Sequence, residues 1–478
     1  MATRRAIIVG SGPNGLAAAV TLARAGLEVT VRERSTAIGG GTATHELTLP
    51  GYRHDVCSAV HPMAAASDFF VRFDLASRVE LLTPELSYAQ PIAPGRSALA
   101  YRSLERTVDG LGADGRAWRR LLGPLVEHAH ELTAIAGSPV LPPRHLATLI
   151  RLGMRLLHQG TPAWNLGFRG EEAPALLTGV IAHAIRALPS LGAAAPGLVL
   201  ATLAHTVGWP VVRGGSGGIA DALAADLLAN GGRIETDAEV SSLAELDADV
   251  VMLDVTPRAL LALADDRLPA GYARMLRRFR YGDGVAKVDL ALDGPVPWAD
   301  PALAEAVTLH LGGTRADIAR GEAEVAAGRH PERPYVLVTQ PSVVDATRAP
   351  EGHHVLWAYT HVPHGSTLDR ADAVIGELER FAPGVRDRIL AVSSRSAVEV
   401  EHHNVNDVGG DIAAGAVSFR QLVARPRLSP TPWRTPLRGV WLCSASTAPG
   451  PGVHGQSGWH AARAALRELR IPVPDLAD

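Results

Sequence analysis

The sequence predicts an α/β protein in two parts: a Rossmann-like parallel-sheet unit assembled from separated stretches of chain, and an inserted α+β unit. Three observations predict it. A strand, glycine turn, helix and second strand occupy the first sixty residues. A glycine-rich helix start recurs near residue 214, and a strand, Gly/Pro loop and helix close the chain. The length of 478 residues is roughly three times the common domain size and accommodates two units.

Residues 6–9 read as a short buried strand and Gly10-Ser11-Gly12-Pro13-Asn14-Gly15 as a sharp turn. The alanine-rich run 16–24 reads as a helix stopped at Gly26. Residues 29–31 form a second strand ending at Glu33. From about Gly95 to Thr206 the pattern is mostly helical, with helices expected over 118–132, 143–157, 173–187 and 197–206. Gly214-Gly215-Ser216-Gly217-Gly218 then opens a helix over 219–229, closed by Gly231-Gly232 and followed by strands at 233–235 and 249–253. Alternation predicts strands near 285–292, 307–311, 335–340 and 355–361. A strand over 439–445 and a helix over 458–469 finish the chain.

Apolar residues make up 47% and charged ones 20%, a globular composition. Forty-six basic against 49 acidic residues leave a net charge of −3, which gives no field for nucleic acid. Two cysteines, Cys57 and Cys443, exclude a disulfide framework and a cysteine zinc site, so a cytoplasmic setting is expected. Among the 19 histidines, His353-His354, His361 with His364, and His402-His403 lie close in sequence, but no carboxylate completes a ligand set, and no metal site is expected. No targeting segment is read at the N-terminus. Residues 187–212 carry no charge, yet Pro189, Pro196 and Pro210 interrupt them. A buried helix is the favoured reading there, and a surface dipping into a bilayer, giving peripheral membrane contact, stays open.

The chemistry starts at Gly10-x-Gly12-x-x-Gly15. The first glycine permits a tight turn, the second lets backbone approach a pyrophosphate, and the third lets the helix pack on its strand. Pro13 and Asn14 begin a helix whose free N–H groups and dipole favour phosphate. Glu33, 23 positions after Gly10, ends the next strand where a carboxylate accepts ribose hydroxyls, with Arg34 beside it. Gly39-Gly40-Gly41-Thr42 follows. The spacing from Glu33 to this glycine pair resembles the extended dinucleotide motif of flavoproteins and favours FAD over NAD. No second unit that would bind a nicotinamide cofactor independently is read, which argues against the disulfide reductases.

The segment from Gly439 through Cys443-Ser444-Ala445-Ser446-Thr447, Gly450-Pro451-Gly452-Val453-His454-Gly455 and Gly458-Trp459-His460 is similar to the C-terminal signature of phytoene desaturase-like flavoproteins. These belong to the wider flavin amine oxidase and protoporphyrinogen oxidase group. Gly214–Gly232 and Pro50-Gly51-Tyr52-Arg53-His54-Asp55-Val56 resemble that group's middle and early segments. The resemblance implies FAD held by a discontinuous Rossmann-like domain over 1–95, 205–260 and 395–478. It implies a substrate domain with a helical lid over 96–204 and 261–394. It places Val240 against adenine, and Ser444, Ser446, Gly452, Val453 and Gly455 along the flavin; the acid that many relatives carry near Ser444 is absent here.

The only lysine, Lys287, lies in Gly284-Val285-Ala286-Lys287-Val288, followed by Pro297-Trp298. This resembles the amine oxidase strand whose lysine holds a water at flavin N5. Lys287 and His454 are the candidate catalytic residues; His454 reads equally as a proton carrier or a loop hydrogen-bonding residue. Tyr281, Trp209 and Trp459 are candidate walls of the substrate space. The resemblance implies an FAD-dependent dehydrogenase or desaturase taking hydride from an apolar or amine-bearing small molecule. Amine oxidation, or an FAD protein without redox function, are the alternatives.

Overall fold

The computed structural model describes residues 4–477. Five strands form an all-parallel sheet in the order Val440–Leu442, Val250–Leu253, Arg5–Val9, Glu28–Arg32, Arg233–Glu235. The central strand lies between partners that are distant in sequence, so this one sheet cannot form until three stretches of chain meet. Its helices, Pro13–Arg24, Gly217–Ala229 and Gln456–Leu469, pack through alanine and leucine faces: Leu16, Val20, Leu223, Leu227, Ala462 and Leu466 share one buried core. That is the parallel α/β architecture that the sequence predicts.

A seven-stranded mixed sheet forms the other layer, in the order Ile389–Arg395, Gly284–Leu292, His354–Val362, Val336–Thr339, Thr308–Leu311, Leu86–Ala93, Arg96–Tyr101. All nine residues of Gly284–Leu292 are buried, because both faces of this sheet are covered. Val288, Leu290 and Leu292 face the core beneath helix Ala371–Phe381, while Val285 faces the opposite side with Tyr335, Trp357 and Tyr359.

Two expectations are corrected here. The chain does not turn helical at Gly95: Leu86–Ala93 and Arg96–Tyr101 form a hairpin around Pro94-Gly95. Leu86–Ala93, placed by the 1–95 boundary in the nucleotide-binding part, therefore belongs to the other sheet. The uncharged stretch near 187–212 holds the buried helix that was its favoured reading. Its helix Leu191–Ala204 runs through Pro196 with Leu198, Ala201 and Leu203 buried against Leu176 and Val180. Among the described residues no helix is long and apolar enough to cross a membrane.

Candidate functional site

The glycine turn, Glu33, Asp254 and Cys443-Ser444 all follow the carboxyl ends of adjacent parallel strands, the edge at which open α/β sheets bind ligands. Gly10 adopts φ +97°, and its N–H donates to Arg32 O at 2.9 Å. Gly12 caps helix Pro13–Arg24. A Cβ on Gly15 would lie 2.2 Å from Gly10 O, so the third glycine lets helix pack on strand as expected. A Cβ on Gly12 would meet Asp254 Oδ2 at 2.6 Å. The need for glycine at position 12 thus has a local cause, the neighbouring carboxyl, alongside the expected approach of a pyrophosphate.

Asp254 was not among the residues read from sequence. It ends strand Val250–Leu253, is buried, and accepts the Gly15 N–H at 2.9 Å. Burial pushes its carboxyl up to about 7, with the nearby Glu33 charge adding and the Gly15 hydrogen bond opposing. The strand-end position was the available signal. Glu33 is buried at the expected place: Oε2 accepts from Ser11 N at 2.9 Å and Ser11 Oγ at 2.7 Å, and Oε1 from Ser35 N at 2.8 Å. Arg34 is exposed.

Two helix N-termini converge at this edge. Helix Gln456–Leu469, capped by Gly455 at φ +66°, crosses helix Pro13–Arg24 so closely that a Cβ on Gly458 would meet Asn14 O. Nearby, the buried Asn14 Oδ1 and Ser457 Oγ have no hydrogen-bond partner. Gly40, at φ +54°, backs onto Gly12, with its Cβ position 3.5 Å from Gly12 Cα. Paired positive dipole ends, side-chain-free loops and unsatisfied polar atoms fit the phosphates of a dinucleotide. Gly12, Asn14, Gly15, Gly40 and Gly455 would hold it.

A pocket joins this edge to the seven-stranded sheet. Gly40, Gly41 and Cys57 line it from one side; Lys287, Tyr359 and Arg395 line it from the other. Lys287 pairs in register with Tyr359 on one neighbouring strand and Arg395 on the other. It is 5% exposed, its ammonium bonds Asp289, and it sits 5.6 Å from the centre of the Trp357 ring. Burial lowers the lysine's pKa, and Asp289 opposes that. Burial and then Asp407 push the Cys57 thiol up to about 12, so it is protonated at neutral pH. Partial desolvation and then Arg395 bring the pKa of His403, whose surface stays partly open to water, down to about 4.

The flavin-containing amine oxidoreductase family profile matches residues 14–466. The chain belongs to this family. A relative in Rattus norvegicus, pyridine nucleotide-disulfide oxidoreductase domain-containing protein 2, is 26% identical over 97% of this chain and 94% of its own length. The 4,4'-diapolycopen-4-al dehydrogenase of Metabacillus indicus is 33% identical over 26% of each chain. A redesigned putrescine oxidase shares the fold at TM-score 0.62, with 18% identity over 98% of this chain and 99% of that one. A Methanosarcina mazei oxidoreductase does so at 0.59, with 18% identity over 97% and 100%. The protein is accordingly an FAD-dependent oxidoreductase.

Within this flavin-containing amine oxidoreductase, several sequence-predicted residues serve the loops themselves. His454 is buried; its Nδ1 accepts from Gln456 N at 3.0 Å and its Nε2 reaches Gly450 O at 3.0 Å. Burial takes its pKa down to about 4. Both ring nitrogens are engaged by backbone, the arrangement expected of the loop hydrogen-bonding reading. Ser444 Oγ donates to Val255 O and Ser446 Oγ to Ala414 O, both within the protein. Thr42 Oγ1 donates to Gly39 O. Val240 packs with Val9 and Leu253 below the turn; Val453 is half-buried and Gly452 exposed on the C-terminal loop. Trp209 and Trp459 lie in separate cores and Tyr281 Oη accepts from Arg258 N, so none walls the pocket. Trp357 and Tyr359 do instead, two residues apart on one strand face.

Proposed function

We propose that this pocket is where substrate is oxidised: a substrate C–H gives hydride, a neighbouring C–H or N–H proton leaves, and a double bond forms. One observation carries the reading: the only lysine and the double glycine Gly40-Gly41 line the same pocket, although they come from opposite layers of the fold. Bound there, FAD supplies the hydride acceptor. The chain's residues do the rest. Gly40 and Gly41 would leave room for a flat ring, Lys287 would offer it an ammonium, and Asp289 holds that ammonium by an ion pair. Val56, Val285, Trp357, Tyr359 and Ile412 exclude water. The proposed division into an FAD-binding part and a substrate part follows the two sheets, with Leu86–Ala93 on the substrate side.

The walls favour a largely apolar, uncharged substrate. Lys287 and Arg395 place two cations on the pocket, whereas Asp407 is held well above the usual carboxylate range by burial and the Asp411 charge. A permanent ammonium finds no fixed counter-charge there, so an amine would enter as its free base. Anaerobic mixing of the yellow protein with polyenes, hydrophobic alcohols and amines tests this: apolar compounds should bleach the flavin. Bleaching by permanently charged ammonium compounds alone would contradict it.

A further inference from the structure

Helix Leu146–Gln159 exposes Leu146 (60%), Ile150 (63%), Met154 (58%) and Leu157 (61%). These positions recur at four, four and three residues, so they form one continuous stripe along the helix. The opposite face holds it to the protein, through buried Thr148, Leu152 and Gln159. Val140, Leu141 and Leu166 extend the apolar surface at both ends. Among the described residues, seven of the fifteen exposed large apolar side chains thus fall within residues 140–166. Such concentration on a water-facing surface marks an interaction site.

The segment that carries the stripe has charges of one sign. Residues 133–170 contain no Asp or Glu and carry Arg144, Arg151, Arg155 and Arg169. Arg120 of the neighbouring helix Gly115–Val126 shares a surface groove with Met154, His158 and Leu166. Arg155 is spent on the carbonyls of Leu121, Arg151 and Arg120, whereas Arg120 and Arg144 are exposed. Glu131, from the neighbouring helix Ala129–Ala136, is bonded by Thr148 and lies 3.9 Å from His145. We propose that this face docks on an anionic phospholipid surface, its leucine, isoleucine and methionine side chains entering the acyl boundary while the arginines meet phosphates. A second copy fits less well, since a two-fold interface sets this patch against itself and opposes arginine with arginine. The proposal is independent of the reading of the Lys287 pocket.

Co-sedimentation of the FAD-loaded protein with vesicles tests it. Vesicles of phosphatidylcholine mixed with phosphatidylglycerol should retain at least about tenfold more protein than phosphatidylcholine alone, and salt should reduce the difference. Ile150→Ser with Met154→Ser and Leu157→Ser should abolish binding with FAD content and melting temperature unchanged, since all three side chains are exposed. Arg144→Gln with Arg120→Gln should remove the preference for phosphatidylglycerol. Equal sedimentation of wild type and the serine variant, or no sedimentation at all, overturns the proposal. So does a wild-type dimer in light scattering that the serine variant converts to monomer, because a second copy then covers the stripe.

Discussion

Asp254 Oδ2 lies 2.6 Å from the position a Cβ on Gly12 would take, while the same oxygen accepts the Gly15 N–H at 2.9 Å. Strand-end carboxyl and glycine turn are therefore one packing unit, although 242 positions separate Gly12 from Asp254.

Gly12→Ala should cost about 1–3 kcal/mol and most of the bound FAD, because Asp254 cannot retreat without abandoning Gly15. Asp254→Ala removes the obstructing oxygen. The double variant should therefore be less damaged than the sum of the two by about 1 kcal/mol or more in denaturant unfolding. Strict additivity would show that the two residues do not oppose each other.

The raised Asp254 carboxyl sets a pH dependence. A group near 3.8 when unfolded and about 7 when folded keeps its proton longer in the native state. Stability is then greatest below the lower value and falls as pH rises through the window between them. At 1.36 kcal/mol per unit the loss is about 4 kcal/mol. Asp254→Asn should remove that slope, gaining on wild type between about pH 4 and pH 7 and no further above it. Unfolding midpoints across that range decide it.

Arg348 ties the early segment to the middle glycine motif: Nη1 bonds Asp55 Oδ2 at 3.0 Å and Nε bonds Asp345 Oδ2 at 2.9 Å, all buried. Asp55 Oδ1 and Asp345 Oδ2 accept in turn the N–H groups of Ser216 and Gly214. Arg348→Met leaves the buried Asp55 carboxyl without a cation and Asp345 with only Arg213, at 3.9 Å, and should cost about 3–5 kcal/mol, read by chemical denaturation. A loss below about 1 kcal/mol would mean that the two carboxyls need no cation.

His454 is folded neutral, with its pKa brought from 6.5 down to about 4 by burial. Its contribution to stability is complete above the higher value and is lost as pH falls toward the lower one. His454→Gln should flatten that acid-side loss and leave the pH profile of turnover unshifted. A profile that moves with the substitution would support a proton-carrying role.

The nucleotide-binding half was legible because its signals are local. Gly10, Gly15, Glu33 and the strands 233–235 and 250–253 follow from turn chemistry and short apolar runs. The hairpin at Pro94-Gly95 was hidden by the helical segments after it, although Pro-Gly is itself a turn signal. Helix Arg315–Ala326 carries a capping box, Thr314 with Asp317, that periodicity alone passes over. Trp357 and Tyr359 were unreadable as site residues, since their roles depend on which strands become neighbours, and Asp254 offered only its strand-end position. His454 shows the converse: a motif locates a residue but does not say which atoms its ring nitrogens bond.

The central claim, that Lys287 acts on the flavin across the Gly40-Gly41 pocket, is tested most directly by stopped-flow reduction and reoxidation of a lysine variant. Lys287→Met alone strands the buried Asp289, so it is compared with Lys287→Met/Asp289→Asn, which removes both charges. Both should retain FAD, and flavin reduction or reoxidation should slow by about ten- to a thousandfold, the loss of one polar partner worth roughly 1–4 kcal/mol. Wild-type rates for both half-reactions in the double variant, with FAD fully bound, would contradict the account.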